Sequence, residues 1–460
     1  MHASANPDIL TREHPGDLCA AAAQVAAAAT CAVDALERSM AAAEAPLCRH
    51  AYVRRFDAAA RAAAAAVDAA RAVGAPLPPL AGLAVSVKDL FDVAGQPSTA
   101  ASKSMAGAAP ALADCPAVAR LRAAGAALTG HTNLSEFAFS GVGINPHHGT
   151  PLNVATATLD PTPRIPGGSS SGAAVTVAAG AAWAALGSDT RGSIRVPAAL
   201  HGLVGFKNTQ RLTPTEGSVP LSFTLDTACA ITHSVRDAIV LHELLAARRV
   251  HLPGRPLRAL RLALPRSMLD DLDAPVALAF ERSLSRLRGA GTEIVDVTLP
   301  TDDAAATSSG QISAAEAWAW HRGRLERLQA DYDPRVLMRI RAGSGLSAAD
   351  YIDRLQARAR WIAGMQALAR GFDAFICPTV PIVAPPLRPL LDDDDAFFAA
   401  NALLLRNPAV VNYLDGCALS LPCQQPDELP VGLMVWAPAL CDDTVLDVSL
   451  SIERALASRG

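Results

Sequence analysis

Two clusters of small residues contain the serines and glycines that a catalytic site could use. The first is GGSSSG at residues 167–172, and the second is the pair Gly192 and Ser193 in LGSDTRGSIRVP. Glycine lets the backbone adopt positive φ and approach other groups closely. Backbone amides at the start of a helix can then bind a developing negative charge. This pattern favours a buried turn that opens a helix and stabilises an anion.

Three other interpretations of the first cluster agree less well with the sequence. A flexible linker has polar surroundings, but Gly172 leads directly into the apolar run AAVTVAAGAAWAAL. A phosphate-binding loop needs Lys-Ser or Lys-Thr after its glycines, and neither pair follows here. GSSSG matches the G-x-S-x-G pattern of serine hydrolases, with Ser170 as the nucleophile. That pattern requires a preceding strand, whereas DPTPRIPG predicts a loop.

The elements that must position these residues alternate between strand and helix patterns. Alanine-rich stretches predict helices over 17–47 and 54–73, and residues 116–130 predict a helix that leads into a strand. Branched apolar runs predict strands at 83–87, 260–265, 292–298, 373–379, 417–423 and 431–436. Further helices are predicted at 235–247, at 275–291, through most of 313–371 and from about Asp443, and a long loop at 380–396. This order predicts an α/β fold with a mainly parallel or mixed sheet.

The domain organisation follows from the same pattern. No internal repeat and no clear linker divides the chain. We predict an N-terminal helical segment, residues 1–75, that packs on a single domain formed by residues 76–460.

Composition excludes several classes of protein. Of the 460 residues, 51% are hydrophobic and 18% charged, and the net charge is −4, so nothing indicates a nucleic-acid-binding surface. The nine cysteines form no C-x-x-C pair, which argues against a zinc site or a disulfide framework. Residues 1–30 do not resemble a secretory signal, and the weakly polar run at 173–187 is too short for a membrane span. We therefore expect a cytoplasmic protein that does not bind membranes.

Motifs along nearly the whole chain resemble those of the amidase signature family. GLAVSVKDLFDVAG, GHTNLSEFAFSGVGINPHHGTPLN, PGGSSSG, LGSDTRGSIRVPAALHGLVGFK, DAFICPTVPIVAPP and NYLDGCALSLPC carry the resemblance. It covers roughly residues 25–455, with the signature region at about 80–210. The resemblance implies an α/β fold with a central mixed sheet flanked by helices on both faces, together with N-terminal helices.

The same resemblance implies a Ser–cis-Ser–Lys triad. Ser193 would be the nucleophile, Ser169 the proton relay in a cis peptide, and Lys88 the base. The oxyanion hole would consist of the backbone amides of Thr190, Arg191, Gly192 and Ser193. Supporting positions would be Gly167, Gly168, Ser170, Asp189 and Arg195. The resemblance implies no metal and no cofactor.

The chemistry explains why these residue types are needed. A serine hydroxyl is a poor nucleophile until a base removes its proton. Lysine can act as that base only when it is neutral, and full burial can lower a lysine pKa by up to about 3–5 units. Lys88 directly follows the predicted strand LAVSV, so we expect its side chain to be buried. Each donor of an oxyanion hole is typically worth about 10²–10³ in rate.

Arg191 departs from the family pattern, which commonly has glycine there. Two interpretations are open. Arg191 points away and pairs with a carboxylate elsewhere, or it lines the pocket and favours an anionic substrate. Other departures are Ser171 for glycine, His131 for lysine and Asn208 for proline.

The resemblance implies a hydrolase that converts a small-molecule amide to a carboxylic acid and ammonia or an amine. The alternative is the amidase subunit of a glutamine-dependent tRNA amidotransferase, which would deliver ammonia to a partner. The resemblance also implies that residues from about 300 to 410 help to form the pocket that binds the acyl part of the substrate. Candidate lining residues in this range are Trp318, Trp320, His321, Tyr332 and Arg406. A homodimer is a further expectation, and direct binding of nucleic acid is not expected.

Overall fold

The computed structural model describes residues 16–300 and 305–457, which contain eleven β-strands and fifteen α-helices. The strands are β1 Tyr52–Arg55, β2 Ala84–Lys88, β3 Ala127–Thr132, β4 Ala184–Asp189, β5 Val204–Lys207, β6 Thr227–Thr232, β7 Arg261–Pro265, β8 Glu293–Val297, β9 Ala374–Pro378, β10 Cys417–Pro422 and β11 Gly432–Ala437. The helices are α1 Leu18–Ala26, α2 Ala32–Glu44, α3 Asp57–Ala72, α4 Pro116–Ala123, α5 Val154–Ala157, α6 Ser171–Ala178, α7 Arg195–His201, α8 Val235–Ala246, α9 Ala274–Gly289, α10 Ala305–Leu328, α11 Pro334–Arg341, α12 Ala348–Ala369, α13 Leu387–Asp392, α14 Asp394–Tyr413 and α15 Asp442–Ala457.

All eleven strands belong to one mixed sheet in the order β1-β3-β2-β4-β6-β5-β10-β11-β9-β7-β8. The β2 strand is parallel to both β3 and β4, whereas the central strands from β4 to β9 pair antiparallel. Every residue of β2, β3, β4 and β6 is buried. Strands buried on both sides need helices on both faces of the sheet. The predicted α/β fold with a mixed sheet is confirmed.

The sheet places the two predicted serine clusters next to the end of β2. The loop at 166–170 opens α6, and β4 and α7 flank the turn that contains Ser193. Because β2 and β4 are parallel neighbours, their carboxyl ends lie at the same edge of the sheet. Lys88 is the last residue of β2 and Asp189 the last of β4.

The N-terminal helices are fastened to the rest of the chain through buried carboxylates. Asp237 of α8 accepts hydrogen bonds of 3.0 Å from the amides of Leu18 and Cys19, at the start of α1. Asp17 pairs with Arg236 at 2.6 Å. The division into 1–75 and 76–460 stays a prediction, and its first 15 residues lie outside the described part of the chain.

Several sequence-based assignments were wrong in detail. The predicted helix over 17–47 is two helices with a break at residues 27–31, and β1 precedes α3 where no strand was expected. β1 is short, half-buried and carries two arginines, so its apolar signal is weak. The alanine-rich run after Gly172 gives both α6 and β4, because Gly180 adopts positive φ and ends the helical stretch. The predicted loop at 380–396 contains α13 and the start of α14.

Candidate active site

Lys88 lies at the centre of the site with its side chain fully buried. Its Nζ atom donates hydrogen bonds to Ser169 Oγ at 2.7 Å and to Ser188 Oγ at 2.9 Å. Burial lowers the pKa of Lys88 to about 7, although the nearby Asp226 carboxylate acts in the opposite direction. A substantial fraction of this lysine is therefore neutral near pH 7, which a general base requires.

Ser169 is held in the loop that leads into α6. The peptide bond between Gly168 and Ser169 is cis, the geometry implied by the family resemblance. Gly168 donates its amide to the Gly141 carbonyl at 2.7 Å, and Ser135 donates to the Ser169 carbonyl at 3.1 Å. These bonds fix the backbone on both sides of the Ser169 hydroxyl. Gly167 adopts φ +72°, a conformation that side chains other than glycine rarely take.

Asp189 organises the turn that carries Ser193. Its carboxylate accepts the amides of Gly192 at 2.8 Å and Ile194 at 3.2 Å, and pairs with Arg195 at 2.9 Å. Burial alone would raise the pKa of Asp189, but the Arg195 guanidinium beside it holds that pKa well below its usual range. The Ser193 carbonyl accepts the Ser170 amide at 3.2 Å, which ties this turn to the first serine cluster. The structure therefore brings Lys88, Ser169 and the Ser193 turn together.

One backbone amide of the predicted oxyanion hole already has an acceptor inside the protein. The amide of Gly192 points at Asp189 Oδ1, so it is used inside the protein and is not a free donor for substrate. In the part of the chain that the structure describes, the amides of Thr190 and Ser193 have no protein acceptor. Gly192 is instead required by its φ of +126° and by Pro408, whose Cβ would lie 2.6 Å from a Cβ at this position.

Sequence analysis missed two residues that contact this machinery. Ser188 offers the second hydroxyl to Lys88, and Asp226 accepts a 2.6 Å hydrogen bond from the Thr190 hydroxyl. Burial raises the pKa of Asp226 to about 6. The sequence could have indicated Ser188, because this residue directly precedes Asp189 in the LGSDTRGS motif. Asp226 gave no comparable signal, since its loop follows no motif.

The candidate substrate-lining residues separate into different environments. Trp320, His321 and Tyr332 form an aromatic cluster around Phe137, in which His321 Nδ1 lies 3.0 Å from the Tyr332 hydroxyl. Arg406 instead donates to the Asp270 carbonyl at 2.6 Å. Arg191, which sequence analysis left open, places its guanidinium against Gly310 of α10.

Residues 16–300 and 305–457 contain neither a candidate membrane-spanning helix nor a candidate metal site. Within these ranges no helix is both long and apolar enough to cross a bilayer. The same residues contain no group of three or more His, Cys, Asp or Glu side chains placed to hold a metal ion.

The chain is similar in sequence and in fold to known amidases. A model of the family described as Amidase matches residues 34–446. A 2-amino-5-chloromuconic acid deaminase from Comamonas testosteroni is 37% identical, over 89% of this chain and 89% of its own. A glutamyl-tRNA(Gln) amidotransferase subunit from Salinispora arenicola is 32% identical, over 86% of this chain and 87% of its own. A crystal structure of an amidase superposes with a TM-score of 0.86 and 33% identity, covering 95% of this chain and 99% of that one.

The fold, the family match and the similar proteins show an amidohydrolase acting on carbon–nitrogen bonds. The chain belongs to the amidase family.

Proposed function

We propose that this enzyme cleaves its amide through an acyl-enzyme on Ser193, with Lys88 as base and Ser169 as proton relay. The contact between Lys88 Nζ and Ser169 Oγ, 2.7 Å long, carries the proposal. Burial lowers the pKa of Lys88 to about 7, so the neutral amine needed to accept a proton is well populated. No other described lysine is hydrogen-bonded to a serine hydroxyl.

The first step forms a bond between Ser193 Oγ and the carbonyl carbon of the amide. The Ser193 proton passes to Ser169 Oγ while the Ser169 proton passes to Lys88 Nζ. The electron pair of the carbonyl moves to its oxygen, where the amides of Thr190, Arg191 and Ser193 would stabilise the negative charge. The Gly192 amide is not included because it already donates to Asp189.

The second step breaks the carbon–nitrogen bond. The proton on Lys88 returns through Ser169 to the amide nitrogen, which leaves as ammonia or an amine. Water then attacks the ester on Ser193, and the same relay takes the water proton and gives it back to Ser193. The products are a carboxylic acid and the free enzyme, with the proton balance restored.

The amidotransferase subunit is a second candidate, favoured by the 32% identity to its counterpart from Salinispora arenicola. In that case ammonia from glutamine would be delivered to a partner. The deaminase from Comamonas testosteroni, which is named for an amino-substituted acid, is 37% identical and favours an enzyme that acts on a small molecule. Copurification of a second subunit would distinguish the two candidates.

The proposal extends to the setting in which the enzyme works. We place it in the cytoplasm, since all nine cysteines are unpaired and seven of them are buried, as is typical of a reducing compartment. A small-molecule amide is the proposed substrate. A homodimer and the division at residue 75 remain predictions, to be checked by light scattering and limited proteolysis.

Ammonia release by purified wild-type protein and by Ser193→Ala tests this function directly. The panel should contain neutral aliphatic and aromatic amides, acidic amides and glutamine. We expect release from at least one amide that disappears in Ser193→Ala, with Ser171→Ala as a matched control that keeps most of it. Equal release by wild type and Ser193→Ala would contradict the proposal, and glutamine as sole substrate would favour the amidotransferase.

A further inference from the structure

Thr190 begins the turn that carries Ser193, and its side chain makes a contact that the proposed catalytic steps do not use. The Thr190 hydroxyl donates a hydrogen bond of 2.6 Å to Asp226 Oδ1, although 36 positions separate the two residues. Thr190 is buried and directly follows Asp189, the last residue of β4. Its backbone amide is one of the proposed oxyanion donors. One residue therefore carries both a fixed hydroxyl and an amide intended for the substrate.

Asp226 is itself held in place just before β6. Its Oδ2 atom accepts the backbone amides of Leu221 at 2.9 Å and Ser222 at 3.0 Å. The next residue, Thr227, pairs with Asp189 in the sheet. Both oxygens of the Asp226 carboxylate are therefore used, one by its own loop and one by the Thr190 hydroxyl.

The loop that ends at Asp226 is fastened to α10 by a second carboxylate. Glu316 is buried and accepts the Thr224 amide at 3.1 Å and the Thr224 hydroxyl at 2.7 Å. It also accepts hydrogen bonds from the hydroxyls of Ser222 and Tyr351. These four bonds fix the loop, so Asp226 is presented to the turn from a rigid support.

Different carboxylates hold the two ends of the Ser193 turn. Asp189 accepts the Gly192 amide, so it fixes the part of the turn next to Ser193. Asp226 holds Thr190, at the start of the turn. The threonine side chain is stiff at χ1, so a fixed hydroxyl also restrains the Cα atom and the peptide group that carries the N–H. The contact with Asp226 thus restrains the direction of the Thr190 amide.

We propose that Asp226 is a positioning residue of the active site, which acts through the Thr190 hydroxyl to orient the Thr190 amide towards the carbonyl oxygen of the substrate. Donors that are oriented in advance stabilise the charge that develops on this oxygen without rearranging during the reaction. Asp226 touches neither the substrate nor a reacting atom in this role. The inference rests on the proposed function, because the oxyanion forms only when Ser193 attacks the amide.

Thr190→Val tests the inference with little disturbance. It keeps the shape of the side chain and the backbone amide but deletes the bond to Asp226. On the best amide, kcat and kcat/KM should fall together by about 10- to 100-fold, less than the 10²–10³ typical of losing an oxyanion donor outright. KM should change little, because the contact acts in the transition state. Thr190→Ser keeps a hydroxyl and should restore most of kcat.

The pH profile separates this role from an effect on the base. Thr190→Val leaves the bonds from Lys88 to Ser169 and Ser188 in place, so kcat/KM should rise at the same pH as in wild type. A rise at a different pH would locate the effect at Lys88 and overturn the inference.

Thr209→Val is the matched control. The Thr209 hydroxyl is buried and also donates at 2.6 Å to a carboxylate, that of Asp442 at the start of α15. This variant removes the same kind of bond outside the Ser193 turn, so kcat should not change. An equal loss of kcat in Thr190→Val and Thr209→Val would overturn the inference.

Substitutions of Asp226 complete the test. Asp226→Ala should slow wild type at least as much as Thr190→Val does but add little in the Thr190→Val background, because both changes remove one contact. Asp226→Asn can still hydrogen-bond the Thr190 hydroxyl, so it should lose less kcat, and it covers the case in which Asp226→Ala does not fold. The Asp226 carboxylate raises the pKa of Lys88, so these variants are compared on the high-pH plateau. Effects that simply multiply in the double variant would overturn the inference.

Ser193→Ala separates this inference from the proposed function. Loss of turnover in Ser193→Ala together with wild-type kcat in Thr190→Val would overturn the role of Asp226 and leave the function intact. Full turnover in Ser193→Ala would instead contradict the proposed function.

Discussion

Lys88 Nζ and Ser169 Oγ lie 2.7 Å apart, although 81 positions separate the two residues along the chain. The contact exists because β2 ends at Lys88 and the loop before α6 turns back over the same edge of the sheet. The lysine is fully buried, so its charge is poorly solvated. This pair is the proton-transfer unit of the proposed mechanism.

Replacing Lys88 tests the assignment of the base. Lys88→Met should lower kcat by about 10²–10⁴, the usual contribution of a general base. Steady-state kinetics on the best amide measure this loss. Lys207→Met is a demanding comparison, because Lys207 is also buried but donates to the carbonyls of Asn208 and Gly416. A fully active Lys88→Met enzyme would exclude Lys88 as the base.

The pH dependence of kcat/KM follows from the same pKa. Burial lowers the pKa of Lys88 from 10.5 to about 7, and only the neutral amine can accept a proton. Below the folded-state pKa the amine is protonated, so activity should be low at pH 5.5 and rise through pH 7 towards a plateau. Rates measured from pH 5 to 9 on a neutral amide check this. Activity that falls across pH 6–8 would contradict a lysine base.

The Asp189–Arg195 pair should contribute strongly to stability. Both side chains are fully buried. Asp189→Asn leaves the Arg195 charge without its carboxylate, so the free energy of unfolding should drop by about 3–5 kcal/mol. Denaturant titration measures the change.

Glu37→Gln is the control for that prediction. It breaks an ion pair with Arg61 in which both side chains are about half exposed, at 44% and 51%. Solvent screening makes the contribution of such an exposed pair to the free energy of unfolding small. Equal losses in Asp189→Asn and Glu37→Gln would mean that the buried pair is not a structural anchor of the Ser193 turn.

Much of the site was predictable because its motifs are local. Lys88 follows LAVSV, whose four apolar residues predict a buried strand, and β2 occupies that position. Asp189, Gly192 and Arg195 lie within seven consecutive residues, so one turn brings them together. The resemblance to the amidase signature family supplied the roles, since residue patterns alone left Ser170 as a competing nucleophile.

Other features depend on contacts that sequence patterns do not encode. The backbone amide of Gly192 donates to Asp189 Oδ1. The spacing of residues in the sequence does not indicate the direction in which a backbone N–H group points. β4 lies in an alanine-rich run whose composition favours helix, so the sequence did not predict it. Its pairing with β2 and β6 in the sheet makes this segment a strand. The packing of Arg339, from α11, on the Phe139 ring is likewise a tertiary contact that the sequence pattern does not indicate.

The most direct test of the account is to trap the covalent intermediate. Wild-type protein turning over its best amide would be quenched in acid, digested and examined by mass spectrometry. We expect the acyl mass on the peptide containing Ser193, and its absence from Ser193→Ala treated in the same way. An acyl group on Ser170, or steady turnover by Ser193→Ala, would contradict Ser193 as the nucleophile.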